Sequence, residues 1–170
     1  MNRITTLGLG LLALGAVAAG PVLAQTSPQP SNMTVSATVT NNCTISAGAL
    51  AFGNYNPTVA TAVDAVATLT LTCTLSASTT ITLDQGLHPG GGSTLAVPIR
   101  RMVNNATNFL SYTLYTTIGR TTVWDGVTGV AYTGTGIADT SVQVFGRIPG
   151  SQSSLPAGVY TDTVVATITF

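Results

Sequence analysis

The chain has 170 residues, of which 6% are charged, and its five Arg and five Asp cancel without a single Lys or Glu. With no basic cluster beyond Arg100-Arg101, nucleic acid is disfavoured as a partner. A neutral, sparsely charged surface is poorly protected against self-association and suits a protein that ends in an assembly, though a neutral secreted monomer would look much the same.

Residues 1–24 read as an export signal. Arg3 supplies the positive end, 7–19 an apolar core, Gly20-Pro21 a break, and Val22-Leu23-Ala24 a small-residue site with cleavage expected between Ala24 and Gln25. The apolar run is too short for a transmembrane helix, and no Cys follows it to take a lipid anchor. The expected product is exported and soluble, about 146 residues long, enough for one domain with a real core. Cys43 and Cys73 are the only cysteines. In an oxidising compartment such a pair reads as a disulfide; a metal site would need further ligands, which the single His88 is poorly placed to offer. No metal and no cofactor are expected.

Residues 25–32 form a polar lead in which Pro28 and Pro30 resist regular structure. In 33–39 (MTVSATV) apolar residues take every odd position and Thr or Ser every even one, the period of a strand with one buried face. Asn41-Asn42 makes a turn, 43–50 a short strand, and Phe52-Gly53-Asn54-Tyr55-Asn56-Pro57 a turn-rich connection. Residues 60–65 read as a loop or one helical turn. Strands are then expected over 66–73 and 79–83, followed by a Gly-rich loop over 85–94 that lacks the Gly-Lys-Ser/Thr ending of a phosphate loop. Further strands are expected over 97–103, 109–118 and 140–148, with turns at Trp124-Asp125-Gly126 and Gly134-Thr135-Gly136. The last, β-branched stretch, 160–170, predicts a strand of eleven residues. Short strands separated by Gly, Pro, Asn and Asp indicate an all-β, immunoglobulin-like antiparallel sandwich.

Catalytic chemistry is not indicated. His88 sits beside three glycines, where a rigid base geometry is hard to hold, and no nucleophile-elbow, zinc or calcium-loop pattern occurs. Asp125 and Asp139 read as turn residues, and Asp162 as bonding to a neighbouring turn. Three Asn-x-Thr matches, at Asn32, Asn42 and Asn105, are short enough to arise by chance. The reading is of a non-enzyme with no small-molecule substrate.

Several stretches in order carry a family likeness. They are 33–39 leading into Cys43-Thr44-Ile45, then Leu50-Ala51-Phe52-Gly53-Asn54-Tyr55, Leu69-Thr70-Leu71-Thr72-Cys73 and Arg101-Met102. Leu114-Tyr115, Arg120-Thr121-Thr122-Val123-Trp124, Val144-Phe145-Gly146-Arg147-Ile148-Pro149 and Gly158-Val159-Tyr160-Thr161-Asp162 complete it. With these, residues 25–170 resemble a spore coat protein U domain, the subunit type of archaic chaperone–usher pili. The resemblance implies an incomplete sandwich, lacking its final strand and completed by donor-strand exchange, with 25–40 as leader and donor and 41–170 as the domain. Met33, Val35, Ala37 and Val39 would be the donor side chains. Tyr160, Val164, Ala166, Ile168 and Phe170 would line the acceptor groove from its edge strand, 158–170. The implied partners are a periplasmic chaperone, an outer-membrane usher and neighbouring copies or related subunits. The implied destination is the cell surface, for adhesion and biofilm formation.

Without the resemblance, 33–39 is an ordinary first strand of its own domain. Two rival functions remain. A secreted monomeric carbohydrate-binding or adhesive sandwich would need an exposed aromatic face, for which Tyr112, Tyr115 and Trp124 are the start. A spore-coat or matrix protein would be structural but need no donor.

Overall fold

The computed structural model describes Gly20 and residues 27–105, 107–136 and 140–170. The signal segment, including Ala24 and Gln25 but for Gly20, and the Asp139 turn lie outside the described residues. The chain divides into two units, residues 1–37 and 38–170. Among the described residues there is no helix. The described residues of the second unit form eight strands: β1 (Cys43–Ala47), β2 (Val63–Cys73), β3 (Ser78–Leu83), β4 (Arg100–Asn104), β5 (Asn108–Tyr115), β6 (Val130–Thr133), β7 (Thr140–Ile148) and β8 (Ala166–Thr169). They form a five-stranded sheet in the order β1-β2-β7-β5-β4 and a three-stranded sheet in the order β6-β3-β8, antiparallel throughout.

Alternation explains which residues meet between the sheets. Ala67, Leu69, Leu71 and Cys73 on β2, Leu110, Tyr112 and Leu114 on β5, and Val144 and Ile148 on β7 point inward from the larger sheet. Thr79, Ile81 and Leu83 on β3 answer them from the smaller one, with half-buried Ala166 and Ile168 on β8. Trp124, from the β5–β6 connection, is fully buried and joins the layers. Its backbone N–H donates to the Leu114 carbonyl and its indole N–H to the Ile81 carbonyl, each at 2.9 Å. Arg100 is the charged counterpart, 1% exposed. Its guanidinium donates to the carbonyls of Asp84, Leu83 and Trp124, tying the start of β4 to the end of β3.

Several expected bounds shift: β1 ends at Ala47 instead of residue 50, β5 at Tyr115 instead of 118, and 33–39 forms no strand. β2 begins at Val63, so 63–65 are neither loop nor helical turn. Asp64 lies in the ladder, and Arg147, its cross-strand partner on β7, forms two bonds to its carboxylate at 2.7 and 2.8 Å. The strand expected over 97–103 starts only at Arg100. Ser93 and Thr94 hydroxyls capture the amides of Ile99 and Val97, and Pro98 has no amide to offer a ladder. β6 falls in a stretch read only as turns. The expected strand over 160–170 is reduced to Ala166–Thr169, with one isolated bridge from Thr161 to Val103. Inward–outward alternation persists through 160–168, but β3 pairs with β8 only from Thr80 to Leu83, so the ladder stops there.

One end of the sandwich is closed covalently. Cys43 and Cys73 are cross-strand partners joined by a disulfide, and with Ala77 they form a small buried cluster that Ile168 of β8 packs against. Here the edge strand β1 of one sheet approaches the edge strand β8 of the other. The bond closes a span of 30 residues. Replacing both cysteines by Ala is therefore expected to lower stability by about 3–4 kcal/mol. Urea titration of the purified oxidised chain against the variant measures this; an unchanged midpoint would mean the closed end holds without the bond.

Candidate functional site

Away from the disulfide the two edges part. After Ala47 the chain keeps one backbone bond to β2, from the Gly48 N–H to the Thr68 carbonyl, and then leaves the sheet. Its next apolar residues, Leu50 and Phe52, lie over β7 at Gly146, where a Cβ would come within 2.8 Å of the Phe52 ring. Gly146 thus supplies the space into which this irregular wall settles. Phe52 meets Tyr112 of β5 edge-on, with ring centroids 6.1 Å apart, and the Tyr55 hydroxyl donates to the Pro149 carbonyl. The opposite wall is 160–166.

Between these walls runs an apolar groove with two compartments. The inner one, of about 360 Å³, has Ala47–Leu50 on one side, 160–164 and Ala166 on the other, and Leu69, Met102, Leu114 and Val144 among its floor residues. The outer one, of about 760 Å³, is bounded by 50–55 and 155–160. Leu50, Phe52, Met102 and Tyr160 line both, so the two adjoin. The closed end is the disulfide end, and the mouth lies at 155–160.

The residues singled out from the sequence fall as follows. Tyr160, Val164 and Ala166 line the groove, Ile168 packs on the disulfide cluster, and Phe170 lies beyond β8, 53% exposed. Met33, Val35 and Val39 are exposed by 86, 86 and 84%, Ala37 is exposed, and 33–39 forms no strand. The wall 47–52 escaped sequence reading because it is not periodic; its one signal was Leu50 and Phe52 standing apolar in a turn-rich stretch. Trp124 and Tyr112 are buried, which removes two of the three aromatics available for an exposed sugar-binding face.

A model of the Spore Coat Protein U domain matches residues 29–167. The chain belongs to the Spore Coat Protein U domain family. It is 44% identical over 187 aligned positions, covering the whole of both chains, to Protein U of Myxococcus xanthus. Among solved structures its fold is similar to a chain in the CsuC–CsuE chaperone–tip adhesion subunit pre-assembly complex from the archaic chaperone-usher Csu pili of Acinetobacter baumannii. The TM-score is 0.52 at 22% identity over 78% of this chain, which spans 40% of that one.

In this Spore Coat Protein U domain the wall 160–165 is held by side chains where a ladder is missing. Asp162, whose side chain is 2% exposed, faces inward between Tyr160 and Val164. Its carboxylate accepts from the Tyr112 hydroxyl at 2.7 Å and from the Leu87 amide at 3.0 Å, with His88 Nδ1 at 3.4 Å. Gly86, at φ +77°, passes so close that any Cβ would collide with this carboxylate. Asp162 therefore does bond to a neighbouring turn, the Gly-rich loop. Asp84 supports the next step, accepting from the Val165 and Gly86 amides. Asp125 closes its own turn, accepting from the amides of Val127, Thr128 and Gly129.

Burial and the Asp162 carboxylate both oppose loss of the Tyr112 proton and push its phenol well above the usual range. Burial pulls the nearby Arg100 guanidinium down, against the carboxylates of Asp84, Asp162 and Asp125. Folded Tyr112 holds its proton more tightly than the unfolded chain does. Its contribution to stability is therefore complete below about pH 10 and lost as pH rises above that. Urea midpoints measured from pH 7 to 11 are expected to stay flat and then fall, and Tyr112→Phe, less stable at pH 7, is expected to lose the steepest part of that alkaline fall.

Proposed function

We propose that this chain is a structural subunit of a surface filament built by a chaperone–usher pathway, and that its groove receives residues 33–39 of the next subunit. The observation that carries the reading is the coexistence of two halves of one contact. An apolar groove lies open beside 160–166, and an exposed segment of alternating apolar and hydroxyl residues precedes β1. Family membership and the fold likeness to a chaperone-bound pilus subunit support it.

The incoming strand runs antiparallel to β8, the pairing with the better backbone bonds. Met33 then lies at the disulfide end and Val39 at the mouth. Met33, Val35 and Val39 bury three sizeable side chains and Ala37 one methyl, on the order of 5–8 kcal/mol before ordering costs. Backbone bonds supply affinity, and the alternate side chains supply fit. Strand addition also covers an edge that would otherwise recruit stray chains. A periplasmic chaperone occupies the groove first, an outer-membrane usher presents the next subunit, and the product stands on the cell surface, serving adhesion and biofilm formation. A second reading, a spore-coat structural protein, is favoured by the whole-length identity to Protein U and the family's name.

Deleting residues 25–40 separates donation from an ordinary first strand. Co-expressed with its chaperone, the truncated chain is expected to stay folded yet form no high-mass ladder in cold detergent gels. The full chain should form a ladder that collapses on boiling. A truncated chain that unfolds in the chaperone complex would return 33–39 to its own sandwich. Ladders extracted from spore coats, with none on growing cells, would select the second reading.

A further inference from the structure

The link between Val39 and β1 is short, and the chain is anchored before β1 begins. Asn42 is fixed to the β2–β3 turn from both sides: the Thr74 amide donates to its carbonyl at 2.9 Å, and its own amide donates to the Thr74 hydroxyl at 3.0 Å. Only Thr40 and Asn41 are free between Val39 and this anchor. Three residue steps reach about 10 Å at full extension. A copy whose Val39 sits at the mouth of another copy's groove must therefore bring its own β2–β3 turn against that mouth.

That turn carries an apolar side chain on a braced backbone. Leu75 is 68% exposed, and it follows Thr74 directly. The turn is held by the Ser76 amide on the Gly134 carbonyl at 2.7 Å and the Ala77 amide on the Thr74 carbonyl at 3.1 Å. Gly136 lies close behind, its Cβ position 2.9 Å from the Leu75 Cβ. The mouth it would meet is apolar too: the outer compartment is rimmed by Leu155, Pro156 and Val159, with Val159 80% exposed. Neither face carries a charged residue among those named, so contact strands no ion.

Resting on the filament reading, we infer that the β2–β3 turn of each copy docks on the groove mouth of the copy that receives its strand, with Leu75 against Val159 and Leu155. The partner is a second copy of this chain, and the interface is head-to-tail. It does not close on itself, as an open filament requires. Strand insertion holds the copies together, while this second contact fixes the angle between them.

Cross-linking tests it in the assembled full-length chain. In the variant Leu75→Cys with Val159→Cys, neighbouring copies are expected to form a covalent ladder that survives boiling without reductant and collapses with it. Neither single variant should give more than dimers. Leu75→Asp should leave the cold-detergent ladder in place but lower its dissociation temperature. A double-variant ladder that still collapses on boiling, or a Leu75→Asp ladder as heat-resistant as wild type, overturns the docking contact and leaves the filament reading standing. Absence of any ladder from the wild-type chain takes down both.

Discussion

A β-strand at the border of a sheet offers backbone donors and acceptors on its open side, and in this fold that demand is concentrated along 160–166. β3 pairs with β8 only to Leu83, and Thr161 touches the other sheet through a single bridge to Val103. The rest of the segment spans the gap between sheets as an extended wall with alternating inward side chains. Such a wall keeps its shape only if something other than a ladder holds it. Asp162 and Asp84 do so by accepting backbone amides from the loop and from the wall itself. Holding the segment by side chains leaves its open edge facing the groove. The disulfide sets the other limit, closing β1 toward β8 at one end so that the gap is a wedge.

The few charges of the chain serve this arrangement. Arg100 is buried against three carbonyls where β4, β3 and the Trp124 loop meet. Arg101 donates to the carbonyls of His88 and Pro89 and stacks over Phe109, 4.0 Å from the ring centre. Asp64 lies between Arg147 and Arg120 on the outer face of the large sheet, its carboxyl held below the usual range first by the Arg147 hydrogen bonds. That pair is largely solvated and contributes little stability. The buried groups matter more: Tyr112, Asp162 and Arg100 form a polar core beside the inner compartment, and each carboxylate oxygen of Asp162 has a donor. A chain using its ions this way leaves few charges for its surface.

Strands with one buried face were readable from sequence. β7 was expected with its observed bounds, and β2, β3 and β5 within a few residues, because period-two burial and period-two side chains coincide there. Boundaries failed where partner supply, not residue type, sets the end. Thr161, Thr163 and Val165 have the chemistry of strand residues, yet Thr161 is reached by one bridge and Val165 by a single backbone bond, from the Asp84 amide to its carbonyl at 3.1 Å. β6 failed for the opposite reason: Val130–Thr133 is four residues between turns, with too few alternations to register, and β3 recruits it. Of the groove, the edge wall was implied by the family resemblance and not by its alternation, whereas the bonding of Asp162 to a neighbouring turn was read from the residue's place in the last stretch. The wall at 47–52 was not, because irregular backbone packed over a glycine leaves no period.

If residues 33–39 are donated as proposed, the same geometry bears on whether they could fill the groove of their own chain. β1 leaves the disulfide end and runs toward the mouth, and β8 runs the other way. A plug antiparallel to β8 has Val39 at the mouth, whereas Asn42 is anchored at the disulfide end. Seven extended residues cover about 20 Å, and the link from Val39 to Asn42 reaches about half of that. On that reading, chain length works against self-insertion in the favoured direction. The remaining option, a hairpin onto β1 with the plug parallel to β8, gives up the antiparallel bonds along the edge that needs them most. On the proposed filament reading, reach and strand direction together favour a second molecule over self-insertion, and the short link of Thr40 and Asn41 is what sets that preference.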